Sequence, residues 1–158
     1  MTDIVQSGSI TPGHLVRWVT NGVVGDGGAG AAYQQVLASA TQVDFNSTAD
    51  QPIPLPSLLN YFQLTGILVA AASVSLTVAQ GGFYPQASKG GTALVAASQV
   101  YTALTASSLL MNASLSTYAQ QQYFSRSQLP DWSIYFSLTA AQGSIATASV
   151  YLLGIPLG

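Results

Sequence analysis

The chain has no cysteine and no glutamate, and only eight of its 158 residues are charged: Arg17, Lys89, Arg126, Asp3, Asp26, Asp44, Asp50 and Asp131. Ordinary soluble domains carry about 25% charged residues; this one carries 5%. Without cysteine there are no disulfides and no thiolate metal sites, so stability is expected to come from packing and assembly. With few carboxylates and a single histidine, His14, little is left for acid–base or nucleophilic chemistry, and neither an enzymatic activity nor a cofactor is expected. Three scattered basic residues do not make a phosphate-binding cluster. With a net charge of −2 and a pI near 4.7 they argue against nucleic acid and against an anionic membrane surface. A long apolar run is also missing. The most apolar window, Leu64–Ala79, is broken by Thr65, Ser73, Ser75 and Thr77 and falls short of the roughly 20 residues a membrane-spanning helix needs. Met1-Thr2-Asp3-Ile4-Val5-Gln6-Ser7 has neither the basic nor the apolar region of a secretory signal, so synthesis in a cytoplasm is expected.

What is present is Ala, Val, Leu, Ser, Thr and Gly. A free monomer normally keeps its surface charged and free of patches, so a surface this poor in charge is expected to be buried against a partner. Composition shifts near residue 44: a glycine-rich arm (1–43) precedes a domain (44–158) of alternating strands. In 73–79, Val74, Leu76 and Val78 alternate with Ser75 and Thr77. In 133–139, Ile134, Phe136 and Leu138 oppose Ser133, Tyr135, Ser137 and Thr139. In 146–152, Ala146, Ala148, Val150 and Leu152 oppose Thr147, Ser149 and Tyr151; Met111, Ala113 and Leu115 alternate with polar neighbours. Such period-2 patterns mark half-buried strands of antiparallel sheets. Asn21-Gly22 predicts a hairpin after His14–Thr20, and Gly81-Gly82, Lys89-Gly90-Gly91, Leu129-Pro130-Asp131 and Gln142-Gly143-Ser144 read as further breaks. Pro52, Pro54 and Pro56 suit an edge strand. Leu94, Ala97, Tyr101 and Leu104 have helical spacing, but Val95 and Val100 suit an extended chain equally, and both readings stay open. Many short strands at about ten-residue spacing predict an all-β fold, an antiparallel jelly-roll-like β-sandwich behind an extended N-terminal arm.

Few motifs carry chemistry. Gly25-Asp26-Gly27-Gly28-Ala29-Gly30 satisfies G-x-G-x-x-G, with Asp44 or Asp50 near the distance of a ribose-binding acid, but the fingerprint needs a helix directly after it. Here Val36–Phe45 reads as extended chain, so a close-packing glycine arm is the expectation. His14 lacks metal-ligand spacing to Asp3 or Asp26, no G-x-S-x-G elbow supports a Ser–His–Asp site, and the five aspartates are scattered. Asn46-Ser47-Thr48 and Asn112-Ala113-Ser114 match the glycosylation sequon without a secretory context. Tyr118, Tyr123, Phe124 and Trp132 form an aromatic-rich stretch that either faces a ligand such as a sugar or, the commoner case, packs in a core or subunit interface.

Two stretches carry a family resemblance. Ile10-Thr11-Pro12-Gly13-His14-Leu15-Val16-Arg17-Trp18 through Gly25-Asp26-Gly27-Gly28 resembles a "G-H-x-x-x-W/F … G-x-x-x-D-G-G" segment near the start of many tailed-bacteriophage fibre and head-appendage proteins. Gly81-Gly82-Phe83-Tyr84 through Lys89-Gly90-Gly91-Thr92-Ala93-Leu94-Val95, with Leu138–Gly143 and Ala148–Gly154, is similar to a β-rich domain of phage capsid decoration (cement) and head-fibre proteins. The resemblance implies a virion structural protein on the outer capsid or at a fibre base, commonly a homotrimer. Its expected partners are the major capsid protein, further copies of itself and a head-fibre subunit. Through Gly158 there is neither a shaft repeat nor a collagen-like tract, so a compact decoration or base protein is expected rather than a full fibre. The interface residues expected on this basis are His14, Arg17, Trp18, Gly27 and Gly28 in the arm and Tyr151 and Leu153 opposite the core face of their strand. The alternative is a host-surface or glycan-binding module that uses the stretch from Tyr118 to Trp132.

Overall fold

The structure is a computed structural model that describes residues 5–7, 14–20, 23–29 and 33–157, with side chains described from Tyr33 to Leu157. The chain divides into two compact units, Met1–Ala32 and Tyr33–Gly158. In the first, β1 (Val5–Ser7), β2 (His14–Thr20) and β3 (Val23–Ala29) form a three-stranded sheet in the order β1-β3-β2. β2 and β3 pair antiparallel up to Thr20 and Val23, the pairing the Asn21-Gly22 signal predicts; the turn residues themselves lie outside the described residues. β3 continues as a strand through Gly25-Asp26-Gly27-Gly28 to Ala29, and the next described element is again a strand. A dinucleotide fingerprint requires a helix in that place.

The second unit is all-β apart from one short helix. Its elements are β4 (Gln35–Asp44), β5 (Gln51–Pro54), β6 (Tyr61–Ala70), β7 (Gln80–Tyr84), β8 (Leu110–Ala113), helix α1 (Thr117–Gln121), β9 (Tyr123–Ser125), β10 (Ser133–Ala140) and β11 (Thr147–Pro156). Two antiparallel sheets result. One runs β5-β10-β7; the other runs β4-β11-β6-β8, with β9 also pairing β6. The start of this unit differs from the arm boundary expected at residue 43. β4 pairs with β11 from Gln35↔Gly154 to Asp44↔Thr147 and buries Leu37 and Val43, so residues 35–43 belong to the sheet. Small and apolar residues on one face (Leu37, Ala38, Ala40, Val43) let β4 lie on the core.

The alternation in β10 and β11 places residues as their sequence predicts. Ile134, Phe136 and Leu138, and likewise Ala148, Val150 and Leu152, are buried. β5 is an edge strand carrying Pro52 and Pro54, whose missing N–H groups an edge tolerates. Two expectations are corrected, and the open reading of 94–104 resolves to the extended one. Residues 73–79 are not a strand: Leu76 is buried, but Val74 and Val78 are exposed. The backbone there is held by isolated bonds such as Leu76 N–H to Leu104 O (3.0 Å) and by the Gln142 side chain instead of a ladder. Gln142 Oε1 accepts from the Val78 and Ala79 N–H groups (3.1 and 3.2 Å), and its Nε2 donates to Ser75 O and Thr77 Oγ1. Gly81-Gly82 is not a break but lies inside β7. A Cβ at Gly81 would stand 2.5 Å from Leu138 Cα, and one at Gly82 2.3 Å from Val95 O, so only glycine lets the neighbouring backbones approach. The segment from Leu94 to Leu104 is not helical. It runs along β7 through the bridges Phe83↔Val95 and Gln80↔Val100, with Leu94, Val95, Tyr101 and Leu104 buried.

Both sheets contribute to one apolar cluster. At its centre Phe136 lies 4.8 Å from Phe45, 5.0 Å from Phe83 and 5.9 Å from Tyr101 between ring centroids. The fully buried Tyr101 donates its hydroxyl to Gly81 O at 3.2 Å. Burial, reinforced by Tyr84, pushes its phenol far above the ordinary tyrosine value. A second aromatic group stacks Phe62 on Phe124 at 5.5 Å, with Trp132 edge-on to Phe62 at 6.1 Å.

Candidate interaction surface

The outward faces of the two sheets differ. On β10 the residues opposite the core are Ser133, Tyr135, Ser137 and Thr139. Ser133 and Ser137 are buried, as is Tyr84 on β7. The chain's own loops reach this face: Ser137 Oγ donates to Thr48 O (3.4 Å), and Thr139 Oγ1 donates to Ala97 O (3.0 Å). Asp50, from the same loop as Thr48, accepts from the Ser88 N–H. Burial, and secondarily the Asp50 charge, raises the Tyr84 phenol pKa, while the hydrogen bond from Tyr135 to Asp131 (2.8 Å) is the main cause that raises that of Tyr135.

The outward face of the larger sheet is covered only in part: Gln120 O of α1 accepts from Gln63 Nε2 (3.3 Å) and the Gln34 side chain lies near Gly66, while apolar residues elsewhere on it stay exposed. Register aligns Val36, Leu153 and Gly66 in one row, Ser39, Tyr151, Leu68 and Asn112 in the next, and Ser149, Ala70 and Leu110 in a third. Tyr151, Leu153 and Leu68 are half-buried, while Val36 (54%) and Leu110 (64%) are exposed. Of the strands in this sheet only β4 holds a charged residue, Asp44 at its end. A contiguous apolar face without charge is the kind of surface that marks an interaction site on a soluble domain. At one end it runs into a groove of about 300 Å³ lined by Val36, Leu37, Pro56, Leu58, Leu59 and Pro156, with Leu58 almost wholly exposed.

Of the residues expected at an interface, Tyr151 and Leu153 stand side by side with Val36 and Leu68 on this face. His14, Arg17 and Trp18 lie in β2 and Gly27 and Gly28 in β3; their side chains are outside the described residues. The aromatic-rich stretch splits. Phe124 and Trp132 are buried and Tyr118 packs against the core, so these are not ligand-facing rings; Tyr123 is 59% exposed. Alternation across β9 is the physical reason, since Phe124 pairs with the core residue Phe62 while Tyr123 points the other way beside Gln63. Sequence reading missed Val36, Leu68, Leu110 and Tyr61. Their outward position depends on which strand they pair with, and the flanking polar residues do not report it.

Tyr61 and Tyr123 meet on the outer face with ring centroids 6.5 Å apart. Next to them Asn60, Tyr61, Ser125, Arg126 and Ser127 line a cleft of about 250 Å³. Arg126 is fixed there by stacking over Trp132 (4.5 Å) and by a hydrogen bond from its Nη2 to Ser57 O (2.8 Å). Trp132 itself has φ +48, a conformation a bulky residue adopts only under constraint. Its indole donates to Pro56 O, its carbonyl accepts from Leu55 and its N–H donates to Leu129 O.

Among the described residues no three His, Asp or Glu side chains come together, and each buried side-chain polar atom has a hydrogen-bond partner. Nor is any described helix long and apolar enough to cross a membrane. Comparison with protein-family models, with curated proteins and with solved structures finds no match to the chain.

Proposed function

We propose that the protein is a non-enzymatic structural subunit of a bacteriophage virion that decorates and stabilises the outer capsid as a homotrimer, with the major capsid protein as its partner. The observation that carries this reading is the uncharged outer face around Tyr151, Leu153, Val36 and Leu110, on which the described residues leave Val36 and Leu110 exposed and Tyr151 and Leu153 half-buried. At about 25 cal/mol per Å² of apolar surface, covering it stabilises an assembly without ion pairs. Closed symmetry lets each copy cover the face without open-ended association.

The strand order supports a jelly-roll reading of the fold within the same proposal. With the Leu94–Tyr101 segment counted as a fifth strand position, one sheet runs first-eighth-third-sixth and the other second-seventh-fourth-fifth, the two wrapped Greek keys of a jelly roll. That architecture is common in virion proteins and also in lectins, so it supports the functional reading only by analogy.

Light scattering of the purified chain at low and high ionic strength tests the assembly, and a quantified gel of purified virions tests the location. A trimer indifferent to salt is expected, because its interface has almost no charges to screen, together with a copy number matching capsid symmetry. A monodisperse monomer, or absence from virions, overturns the reading.

A further inference from the structure

We infer that the cleft formed by Asn60, Tyr61, Ser125, Arg126 and Ser127 is a binding site for a saccharide unit that carries an anionic group, a property separate from capsid decoration. Arg126 is the first reason. In a chain nearly free of charge, its guanidinium is held in one place by Trp132 and Ser57 O, with a single hydrogen bond accounted for out of five N–H donors. A planar cation immobilised at a cleft wall loses little entropy on gripping a carboxylate or phosphate, and its fork suits two acceptor oxygens.

The rings beside it are the second reason. Tyr61 (49% exposed) and Tyr123 (59%) present ring surface to solvent, and burying Phe62 and Phe124 on the other face keeps both rings in place. Tyrosine rings combine apolar area with a polar tip, and they match the mixed faces of a pyranose. The third reason is the remaining hydrogen-bonding inventory. Ser125 Oγ is engaged with Ser127 Oγ and with Gln128 Oε1 (2.9 and 3.1 Å), and both serines line the cleft with hydroxyls able to donate and accept. Asn60 adds an amide able both to donate and to accept. At about 250 Å³ the cleft lies below the range of roughly 300–1,000 Å³ typical of drug-sized ligand pockets, which limits the contact to one sugar ring and its substituent. A single site should therefore bind weakly, with Kd on the order of millimolar, and gain strength only through repetition on an assembly.

The anionic group can belong to a uronate-bearing polysaccharide or to a phosphate-bearing sugar polymer, and both share the acceptor oxygens Arg126 reads. The test titrates the full chain with methyl β-D-glucuronide, glucose 1-phosphate and the neutral methyl β-D-glucoside. Binding is followed by saturation transfer and by amide shifts. The expected result is millimolar binding of at least one anionic sugar, with shifts confined to Asn60, Tyr61 and residues 123–127. The glucoside should bind at least about tenfold more weakly, the loss of one charge-assisted contact. Preference for the glucuronide points to a uronate source, and preference for the phosphate to a sugar phosphate. R126Q should abolish the discrimination between charged and neutral sugars. Because Arg126 also packs on Trp132, Y123A serves as the second variant: its side chain is exposed, and it should weaken every sugar by roughly three- to tenfold while leaving the discrimination intact. Equal binding of glucoside and anionic sugars, shifts elsewhere on the surface, or no binding of any of the three overturns the inference. None of these outcomes bears on oligomeric state or virion copy number, so failure here is distinct from failure of the capsid reading.

Discussion

The two sheets share a core but treat their outward faces in opposite ways. The β5-β10-β7 sheet is closed off by its own chain: the 47–50 loop lies over Ser137, the segment around Val95 to Val100 runs beside β7, and prolines blunt β5. The larger sheet leaves Val36, Tyr61, Leu110 and Tyr123 exposed, and β4 forms a ten-residue edge without proline or lysine. One face is thus covered by the chain's own loops, whereas the other keeps apolar side chains exposed among the described residues. Low charge alone would not make this distinction, because both faces are poor in charge; what separates them is where the loops run.

Placing a carboxylate on each face breaks the comparison most directly. Ser137→Asp puts a charge at a fully buried position with only the Thr48 carbonyl nearby, so a loss on the order of 3–5 kcal/mol is expected in urea unfolding. Next in size is Gln142→Ala, which removes four hydrogen bonds that stand in for a ladder at 75–79. A loss of about 1–3 kcal/mol is expected, with amide exchange at Val78 and Ala79 accelerated before the rest of the sheet.

Alkaline pH probes the shared core. The Tyr101 phenol has its folded pKa raised by burial, so its contribution to stability is complete below the unfolded value near 10 and is lost as pH rises toward the folded one. Unfolding above about pH 10 is expected, and Tyr101→Phe should flatten that dependence while forfeiting the bond to Gly81 O; an unchanged alkaline slope in the variant would assign the transition to other groups. The smallest effect on folding belongs to the less covered face. Tyr151→Asp should leave the unfolding free energy of the dissociated subunit within about 1 kcal/mol of the parent yet abolish assembly in light scattering. If it unfolds the subunit as Ser137→Asp does, the two faces are not different in kind.

Where the apolar residues of an alternating strand face the core, local pattern and tertiary role coincide, even though loops also bury Ser133 and Ser137 on the outer face of β10. Ile134, Phe136 and Leu138, and Ala148, Val150 and Leu152, are core residues as their alternation predicts, and Pro52 and Pro54 lie on an edge because proline is excluded from a central ladder. The signal fails where a distant group changes what the backbone does. Residues 73–79 alternate well but join no ladder; the Gln142 side chain, more than sixty residues away, and single backbone bonds to Leu104 and Thr147 hold them. Gly81-Gly82 has turn composition but serves close approach between backbones.

By itself the sequence determined an all-β chain poor in charge, with a core built on period-2 strands, because composition and alternation act locally and do not depend on partners. Only the tertiary structure decided that residues 35–43 join the larger sheet, that Phe124 and Trp132 turn inward while Tyr123 turns out, and that the chain's loops cover one sheet face more fully than the other. Each of these depends on strand pairings between distant parts of the chain, and a one-residue change of register would reverse which side chains meet water.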